Sequence, residues 1–279
     1  MPTPRPNCHC RVCEQARVRG VPYARTGPSL FVHGPDLLID TPEEARGQLN
    51  RSQVGAIAGC TYSHWHPDHV LGRRVWEARN YDWLHFPPQH DTTPIYLPAR
   101  VVTDFRRTLG SWEHFGFLEK NGLIRIVELE DGESFNLGDT TVSPFRLHED
   151  YVYGFLLDNG SKRILICPDE TIAWRPSAQH KGVDLAVLPM GTSEFHPLKG
   201  QRQIPRGHPV LKAECSYEET LEIIDALQAK RVILTHIEEP DGCSHDDLLQ
   251  LEADLEAGGG KVSFAYDTML IDVSTTRCQ

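Results

Sequence analysis

The stretch SHWHPDH, residues 63–69, crowds three histidines and one aspartate into a single short segment. In an extended chain alternate side chains point to the same side, so His64 and His66 would face one direction. Asp68 and His69 follow at once. Three imidazoles and a carboxylate at this spacing suit metal coordination far better than a polar surface turn. The motif therefore predicts a metal centre.

The composition of the chain restricts the classes of function. Its 279 residues are enough for a sizeable core, and its formal net charge of −11 argues against a broad surface for nucleic acid or anionic membranes. No apolar run approaches the ~18 residues of a membrane-spanning helix, and the N-terminus lacks an apolar signal core. We expect a cytoplasmic protein. Without linkers, low-complexity tracts or internal repeats, residues 1–279 are predicted to form one domain.

Hydrophobic periodicity and turn signals divide the chain into elements. Successive strands over 123–167 are followed by alternating strands and helices, an order that predicts mixed sheets covered by helices. The other predicted elements are a hairpin over 29–40, a buried strand over 54–63, helices over 70–80, 99–112, 216–229 and 244–257, and closing strands over 261–273. SHWHPDH thus lies between a strand end and a helix, a frequent place for catalytic groups.

Three further ligand-type residues follow directly after strand patterns. His148 ends TTVSPFRLH, Asp169 follows RILICP, and His236 ends KRVILTH. A lone histidine at a strand end is usually structural. The recurrence of this placement beside a histidine cluster indicates that all three belong to the metal centre.

The series His-x-His-x-Asp-His, then a distant His, Asp and His, resembles the signature of the metallo-β-lactamase superfamily. The resemblance covers roughly residues 29–273. It implies a fold of the α/β (α+β) class, a four-layer αββα sandwich with two mixed sheets and metals at one edge of the sheets. β-Lactam hydrolysis is not implied, because enzymes with that activity typically carry a cysteine in place of Asp169.

The same resemblance implies a role for each residue. Two groups of ligands hold one metal each: His64, His66 and His148 in one group, and Asp68, His69 and His236 in the other. Asp169 bridges the two metals. Asp40, at the end of LLID, supports the ligands and does not bind the metals itself. Histidine and carboxylate donors fit Zn²⁺, Mn²⁺ or Fe equally well, so the identity of the metals stays open.

The N-terminal stretch NCHCRVC, residues 7–13, contains Cys8, Cys10 and Cys13. The spacing is too close for a useful disulfide framework, and three thiolates need one more ligand to complete a structural zinc site. Such a site would tie residues 1–28 to the body of the protein. The alternative is three free thiols in a mobile arm.

This N-terminal pattern resembles one branch of the superfamily. That branch includes the phosphonate-pathway phosphodiesterase that opens phosphoribosyl cyclic phosphate, in which the fourth zinc ligand is a histidine three residues beyond the final active-site histidine. Glu239 occupies that position in this chain. The fourth ligand therefore stays open among four residues, Glu239, Cys243, His245 and His9.

Residues 194–212 look like an insertion and form a basic segment within an acidic protein. We consider two interpretations: a lid that contacts an anionic substrate and supplies His208 as the acid for the leaving group, or an exposed loop with ordinary surface charges. The phosphodiesterase of the same branch has a phosphate-contacting histidine where this chain has Glu214. That difference weakens the expectation that this chain acts on the same substrate as that phosphodiesterase.

Together these features predict a dinuclear metal-dependent hydrolase with two active-site metal ions and one structural zinc. The leading hypothesis is a phosphodiesterase acting on a small linear or cyclic phosphodiester through a metal-bridging hydroxide. The alternatives are a lactone or thioester hydrolase of the same fold and a non-catalytic metal-binding accessory protein. The expected partner is a small anionic substrate, not nucleic acid or membrane, and a homodimer is left open.

Overall fold

The structure of the protein is a computed structural model that describes residues 2–52 and 54–273. The chain divides into two compact units that interleave along the sequence. The first unit comprises Met1–Thr26, Leu147–Glu149 and Gly160–Gln279, and the second comprises Gly27–Arg146 and Asp150–Asn159. The expectation of one domain over 1–279 stays a prediction.

The described residues contain the following regular elements. The α-helices are α1 (Arg11–Arg19), α2 (Ala45–Arg51), α3 (Pro67–Val70), α4 (Val75–Asn80), α5 (Ala99–Phe105), α6 (Ser111–Lys120), α7 (Val210–Ala213), α8 (Tyr217–Leu227) and α9 (His245–Ala257). Short 3₁₀ helices cover Leu71–Arg74, Ala178–His180 and Glu239–Asp241. The strands are β1 (Leu30–Val32), β2 (Leu37–Ile39), β3 (Gly59–Thr61), β4 (Thr93–Pro98), β5 (Ile124–Leu129), β6 (Phe135–Leu137), β7 (Thr140–Arg146), β8 (Tyr153–Asp158), β9 (Arg163–Ile166), β10 (Leu185–Pro189), β11 (Val232–Thr235) and β12 (Val262–Phe264).

The second unit contains a five-stranded mixed sheet in the order β1-β2-β3-β4-β5. β1 and β2 form the predicted antiparallel hairpin, and the other neighbours in this sheet pair in parallel. Every residue of β2 and β3 is buried, as expected for parallel strands with both faces covered. Because parallel strands end at the same edge, Asp40 after β2 and Ser63 after β3 lie near one another.

Each unit also contains strands of the second, seven-stranded sheet. β6, β7 and β8 are antiparallel in the second unit, whereas β9, β10, β11 and β12 pair in parallel in the first. All five residues of β10 are buried. Asp169 follows β9 by three positions, and His236 directly follows β11. Both candidate ligands therefore lie at the carboxyl edge of the parallel strands.

Both helices predicted in the C-terminal half, over 216–229 and 244–257, are confirmed as α8 and α9. Ser216 begins α8 with a capping box in which it exchanges hydrogen bonds with Glu219, and Ser244 begins α9 in the same way. The buried face of α8 includes Thr220, Ile223 and Leu227.

Three predicted elements are corrected by the structure. The helix predicted over 99–112 is two helices, α5 and α6, separated where Leu109 and Gly110 adopt positive φ angles of 55° and 58°. The helix over 70–80 begins with a 3₁₀ segment before α4. In the closing segment 261–273 only β12 is a strand, and a turn follows it.

Gly72 marks the closest approach between the SHWHPDH segment and the chain after β2. Its amide donates to the Thr41 carbonyl at 2.9 Å, and the Thr41 amide donates to the His69 carbonyl at 2.8 Å. A Cβ atom at Gly72 would stand 1.8 Å from the carbonyl oxygen of Pro42. Only glycine permits these two backbone segments to lie so close together.

We expect Gly72→Ala to lower the free energy of unfolding by about 1–3 kcal/mol, because either the backbone or Pro42 must move. Urea unfolding measures the change. Gly116→Ala is the control: Gly116 lies within α6 with no neighbour closer than 4 Å to an added Cβ, so alanine should stabilise by about 0.5–1 kcal/mol. Equal stability of Gly72→Ala and the wild type would contradict this account of the close approach.

Candidate metal centre

His64 and His66 lie in the turn between β3 and α3, and His69 lies within α3. His66 is the N-cap of α3, and Pro67 takes the first helical position, where a missing N–H costs nothing. The rings of His64 and His66 have their centroids 4.4 Å apart, and those of His64 and His69 are 4.2 Å apart. The second unit therefore gathers all three imidazoles in one place, as the sequence predicts.

A buried carboxylate, Asp40, holds this turn in place. One of its oxygens, Oδ1, accepts the Ser63 amide at 2.7 Å. The other, Oδ2, lies 2.6 Å from the Ser63 hydroxyl and 2.7 Å from Nδ1 of His69. Asp40, Ser63, His64 and His69 are at most 1% exposed. This contact with His69 agrees with the supporting role implied for Asp40, which stays a prediction.

These hydrogen bonds determine where the imidazole protons lie. Because an ionised carboxylate only accepts, Nδ1 of His69 carries the proton that it donates to Asp40. The Ser63 hydroxyl likewise donates to Asp40, so it accepts from Nδ1 of His64 at 2.9 Å. Both rings therefore present the lone pair of Nε2, which is the arrangement found in metal-ligating histidines.

Two aromatic side chains flank His66 within the second unit. The ring centroid of Trp65 lies 4.7 Å from that of His66, and the centroid of Tyr151 lies 5.6 Å from it. Both aromatic residues are half-buried. They surround the candidate ligand with apolar surface, which restricts its rotation.

The first unit contains the other three candidate ligands. Nε2 of His236 lies 3.4 Å from Oδ1 of Asp169, and Nδ1 of His236 lies 3.5 Å from Glu238. The backbone of His236 has a φ angle of 51°, a left-handed conformation that residues other than glycine adopt rarely. His148 is exposed two positions after β7. The unit thus brings Asp169 and His236 together, and the metal-binding role of His148 stays a prediction.

Glu170 is a buried carboxyl beside Asp169 that the sequence did not reveal. Its Oε1 accepts the amides of Ile172 and Cys215. Burial, together with a hydrogen bond to Glu214 and the charge of that residue, raises the pKa of Glu170 to about 9. A neutral Glu170 adds no negative charge at neutral pH beside Asp169.

A separate cluster in the first unit joins the N-terminal cysteines to Glu239. Oε1 of Glu239 lies 3.4 Å from Sγ of Cys8, 2.9 Å from Cys10 and 3.7 Å from Cys13. Potential ligand atoms of these four residues lie within 4.8 Å of one another. They are therefore close enough to bind one ion.

Charge around Glu239 favours its ionised form. Burial opposes ionisation, but hydrogen bonds from Cys10 and Cys8 and the nearby Arg5 guanidinium together lower the pKa of Glu239. Nη1 of Arg5 lies 3.2 Å from Oε2 of Glu239. One carboxylate oxygen thus faces the sulfur atoms while the other faces a cation.

The other three residues considered as the fourth ligand have different neighbours. The Cys243 thiol donates to the Asp241 carbonyl at 3.7 Å, His245 packs edge-on against Tyr23, and His9 lies 2.9 Å from Glu14. Glu239 is the member of this set that lies with the three cysteines.

Ion pairs hold α1 against α9 independently of the cysteine cluster. Arg11 pairs with Asp247 and also donates to the Gly242 carbonyl at 2.8 Å. Asp246 accepts from Arg19 at 3.0 Å and from the Tyr23 hydroxyl at 2.6 Å. The N-terminal segment is therefore attached at two places.

The segment 194–212 is largely irregular. Phe195 and Arg202 form an isolated antiparallel bridge, and α7 begins at the end of the segment. His208 is exposed, and its Nδ1 accepts the Val210 amide at 3.2 Å. The lid and the acid role of His208 stay predictions.

The donor atoms of the two units fit divalent metals by their chemistry. The second unit offers the Nε2 lone pairs of His64 and His69 and the Asp68 carboxylate. The first unit offers Asp169 and His236. Such nitrogen and oxygen donors suit Zn²⁺, Mn²⁺ or Fe, whereas the three thiols with Glu239 suit Zn²⁺.

The family model of the Beta-lactamase superfamily domain matches residues 34–237. This span is most of the chain, so the protein belongs to the metallo-β-lactamase superfamily. The predicted fold class is thereby confirmed as α+β with two mixed sheets. The protein is a metal-dependent hydrolase.

Solved structures of the same fold resemble the chain at low sequence identity. A diphosphatase of the PhnP family is 21% identical, with a TM-score of 0.67 and coverage of 96% of this chain and 90% of that one. Zn²⁺-bound PqqB from Methylobacterium extorquens is 17% identical, with a TM-score of 0.65 and coverage of 97% and 96%. Human tRNase Z, short form, is 18% identical, with a TM-score of 0.56 and coverage of 88% and 91%. No curated protein sequence matches the chain.

Among the described residues, no helix combines the length and the apolar character that crossing a membrane requires.

We expect Asp40→Asn to weaken metal binding by about 10–100-fold, because the amide cannot hold the protonated Nδ1 of His69 and the Ser63 hydroxyl as a carboxylate does. Titration of metal-free protein with Zn²⁺ against a competing chelator measures the affinity. Asp139→Asn, an exposed position in the same unit, makes the same charge change and should leave the affinity unaltered. An Asp40→Asn variant with wild-type affinity would show that Asp40 does not position His69.

Proposed function

We propose that this protein is a dinuclear metal-dependent phosphodiesterase that acts on a small linear or cyclic phosphodiester. The observation that carries the proposal is the complete set of non-thiolate ligand residues. Its members are His64, His66, Asp68, His69, His148, Asp169 and His236. We propose that the ligands of the two units together hold two ions, with Asp169 bridging them.

The chemistry of this donor set favours phosphoryl transfer. When bound, paired divalent ions would lower the pKa of a water molecule and stabilise negative charge on phosphoryl oxygens. Asp40 would hold His69, and Ser63 would hold His64, so that neither ring reorganises as charge develops on the substrate. Trp65 and Tyr151 would exclude water from the side of His66.

Two properties of the first unit support an anionic substrate of this kind. Burial and the neighbouring Glu214 raise the pKa of Glu170, which favours its neutral form and limits repulsion of a phosphate near Asp169. The segment 194–212 carries basic residues within a chain of net charge −11. We propose that this segment closes over the substrate and that His208, in its protonated imidazolium form, donates a proton to the leaving oxygen and becomes a neutral imidazole.

The names of solved relatives give independent support for phosphoester chemistry. Two proteins that share the fold are named as a diphosphatase and a tRNase. We rank a small substrate above RNA because the negative charge of this chain disfavours a polyanion.

We further propose that Cys8, Cys10, Cys13 and Glu239 bind one structural zinc ion. Three thiolates and a carboxylate would place four negative charges around the ion, one more than three thiolates and a histidine. The Arg5 guanidinium, 3.2 Å from Glu239, offsets part of this additional charge. The solved structure of PqqB, which shares the fold, contains bound Zn²⁺, and this supports zinc as the proposed ion.

The first experiment compares the wild type, Asp169→Ala and His208→Ala after loading with Zn²⁺ or Mn²⁺. Substrates are a bis-aryl phosphodiester, a cyclic ribose phosphodiester and a diphosphate diester. We expect turnover by the wild type, loss of at least about 10³-fold in kcat for Asp169→Ala, and about 10²-fold for His208→Ala. Elemental analysis should show that Asp169→Ala loses active-site metal and that His208→Ala keeps it.

His33→Ala, at an exposed histidine in the hairpin turn, is the matched control for His208→Ala and should retain full turnover. If the protein hydrolyses lactones or thioesters and none of the phosphate esters, it is the alternative lactone or thioester hydrolase. Full metal content without turnover of any substrate would indicate an accessory protein.

We expect Glu239→Ala to weaken zinc binding at the cysteines by at least about tenfold and to lower Tm, because the fourth donor is lost. Glu239→His should retain the zinc, since histidine supplies an equivalent donor. A chromogenic chelator measures zinc released by a thiol-specific mercurial, which counts cysteine-bound metal alone. Glu256→Ala, exposed on α9, is the control, and unchanged zinc release by Glu239→Ala would remove Glu239 from the site.

A further inference from the structure

The loop between α4 and β4, residues 81–90, exposes three large apolar side chains in succession. Trp83 is 83% exposed, Leu84 is 89% exposed and Phe86 is 97% exposed. Single exposed apolar residues are normal on protein surfaces, but a contiguous group of this size usually marks an interaction surface. The proposed reaction makes no use of it.

Hydrogen bonds to one aspartate give this loop a defined shape. Oδ1 of Asp82 accepts the amides of Leu84 at 2.9 Å and His85 at 3.1 Å. Oδ2 accepts the amide of Gln89 at 2.9 Å and lies 2.8 Å from Nδ1 of His85. The ring of Trp83 also stacks on Tyr81, with centroids 4.5 Å apart. A loop fixed in this way loses little conformational entropy when a partner covers it.

A surface pocket adjoins the end of the loop. Its volume is about 350 Å³, and it is lined by Ala56, Ile57, Ala58, Arg79, Asp91 and Thr92, among others. Small side chains leave room in it for an aromatic or aliphatic group. The exposed Arg79 guanidinium adds a cation that can stack on an incoming tryptophan.

We propose that this docking face, the loop 81–90 together with its adjoining pocket, binds a second copy of this chain about a two-fold axis. The apolar side chains of one copy enter the pocket of the other, and the reverse contact follows by symmetry. A two-fold contact requires a self-complementary surface. The docking face meets this requirement because the loop carries the projecting side chains, while Arg79 and Asp91, which flank the loop, line the pocket.

The exposed area indicates a weak, reversible dimer. Large side chains of this kind cover roughly 150–250 Å² each, so the three expose about 500 Å² per copy. Two copies would bury about 1,000 Å² through these side chains, which is near the lower limit of a specific interface. A membrane is a poorer occupant, because a net charge of −11 repels anionic lipid.

The docking face is separated from the metal-binding turn within the second unit. The pocket residues 56–58 precede β3, whereas SHWHPDH follows the end of β3. Loop 81–90 likewise precedes β4, which runs parallel to β3. Substitutions in the docking face should therefore change association without changing metal content or turnover.

Sedimentation velocity on the full, metal-loaded chain, from about 1 to about 200 μM, tests the proposal. We expect the wild type to shift from monomer to dimer over this range. Leu84→Asp, which removes an apolar projection, and Ala56→Trp, which fills the pocket, should each remain monomeric. Leu249→Asp, an equally charged change on α9 at a residue that is 51% exposed, should dimerise like the wild type.

Mixing the two defective variants gives a sharper test. Leu84→Asp keeps an intact pocket, and Ala56→Trp keeps intact projections, so a mixed pair can form one of the two contacts. The mixture should associate more than either variant alone. A wild type that stays monomeric, or a dimer unaffected by both substitutions, would overturn the proposal. So would flotation of the wild type with neutral phosphatidylcholine vesicles that Leu84→Asp abolishes, which would assign the face to lipid.

Discussion

The buried carboxylate of Asp40 is the constraint on which the metal-binding turn depends. It stands at the end of β2 with a φ angle of 62°, a conformation that aspartate tolerates better than most residues. From there it accepts from both the amide and the hydroxyl of Ser63 and from His69. The parallel pairing of β2 with β3 is what places this carboxylate beside the turn. One short side chain thus couples the register of a sheet to the tautomers of two histidines.

The two candidate metal sites differ in how the chain supplies their donors. SHWHPDH and the residues after β9 and β11 lie at strand ends, where backbone geometry fixes their positions. The cysteine cluster combines the start of a helix, with Cys10 as the N-cap of α1, and a 3₁₀ turn that contains Glu239. Among the proposed ligands, soft sulfur donors occur only in the cysteine cluster. We infer that this separation of donor types allows each site to select its own metal.

Local patterns made much of this structure predictable. The hairpin, the capped helices and the position of SHWHPDH between β3 and α3 follow from turn chemistry and periodicity. The break between α5 and α6 is not part of the prediction, because the helical pattern of residues 99–112 outweighs the single helix-ending residue Gly110, which adopts a φ angle of 58°. Contacts distant in sequence were also missed. No local signal places Arg5 beside Glu239 or Glu214 beside Glu170, since both pairs depend on how strands and loops meet.

The ion pairs between α1 and α9 have a consequence for the exchange of zinc. Because Arg11 and Arg19 hold α1 to α9, the cysteines stay close to Glu239 whether or not an ion lies between them. The four donors would then behave as a preorganised chelator, without a large loop-closure entropy when metal returns. Removal of zinc would be a local event, and the metal-free protein would be a folded species ready to recapture the ion. If the proposed zinc site is correct, the N-terminal segment would release and rebind the ion without detaching from the rest of its unit.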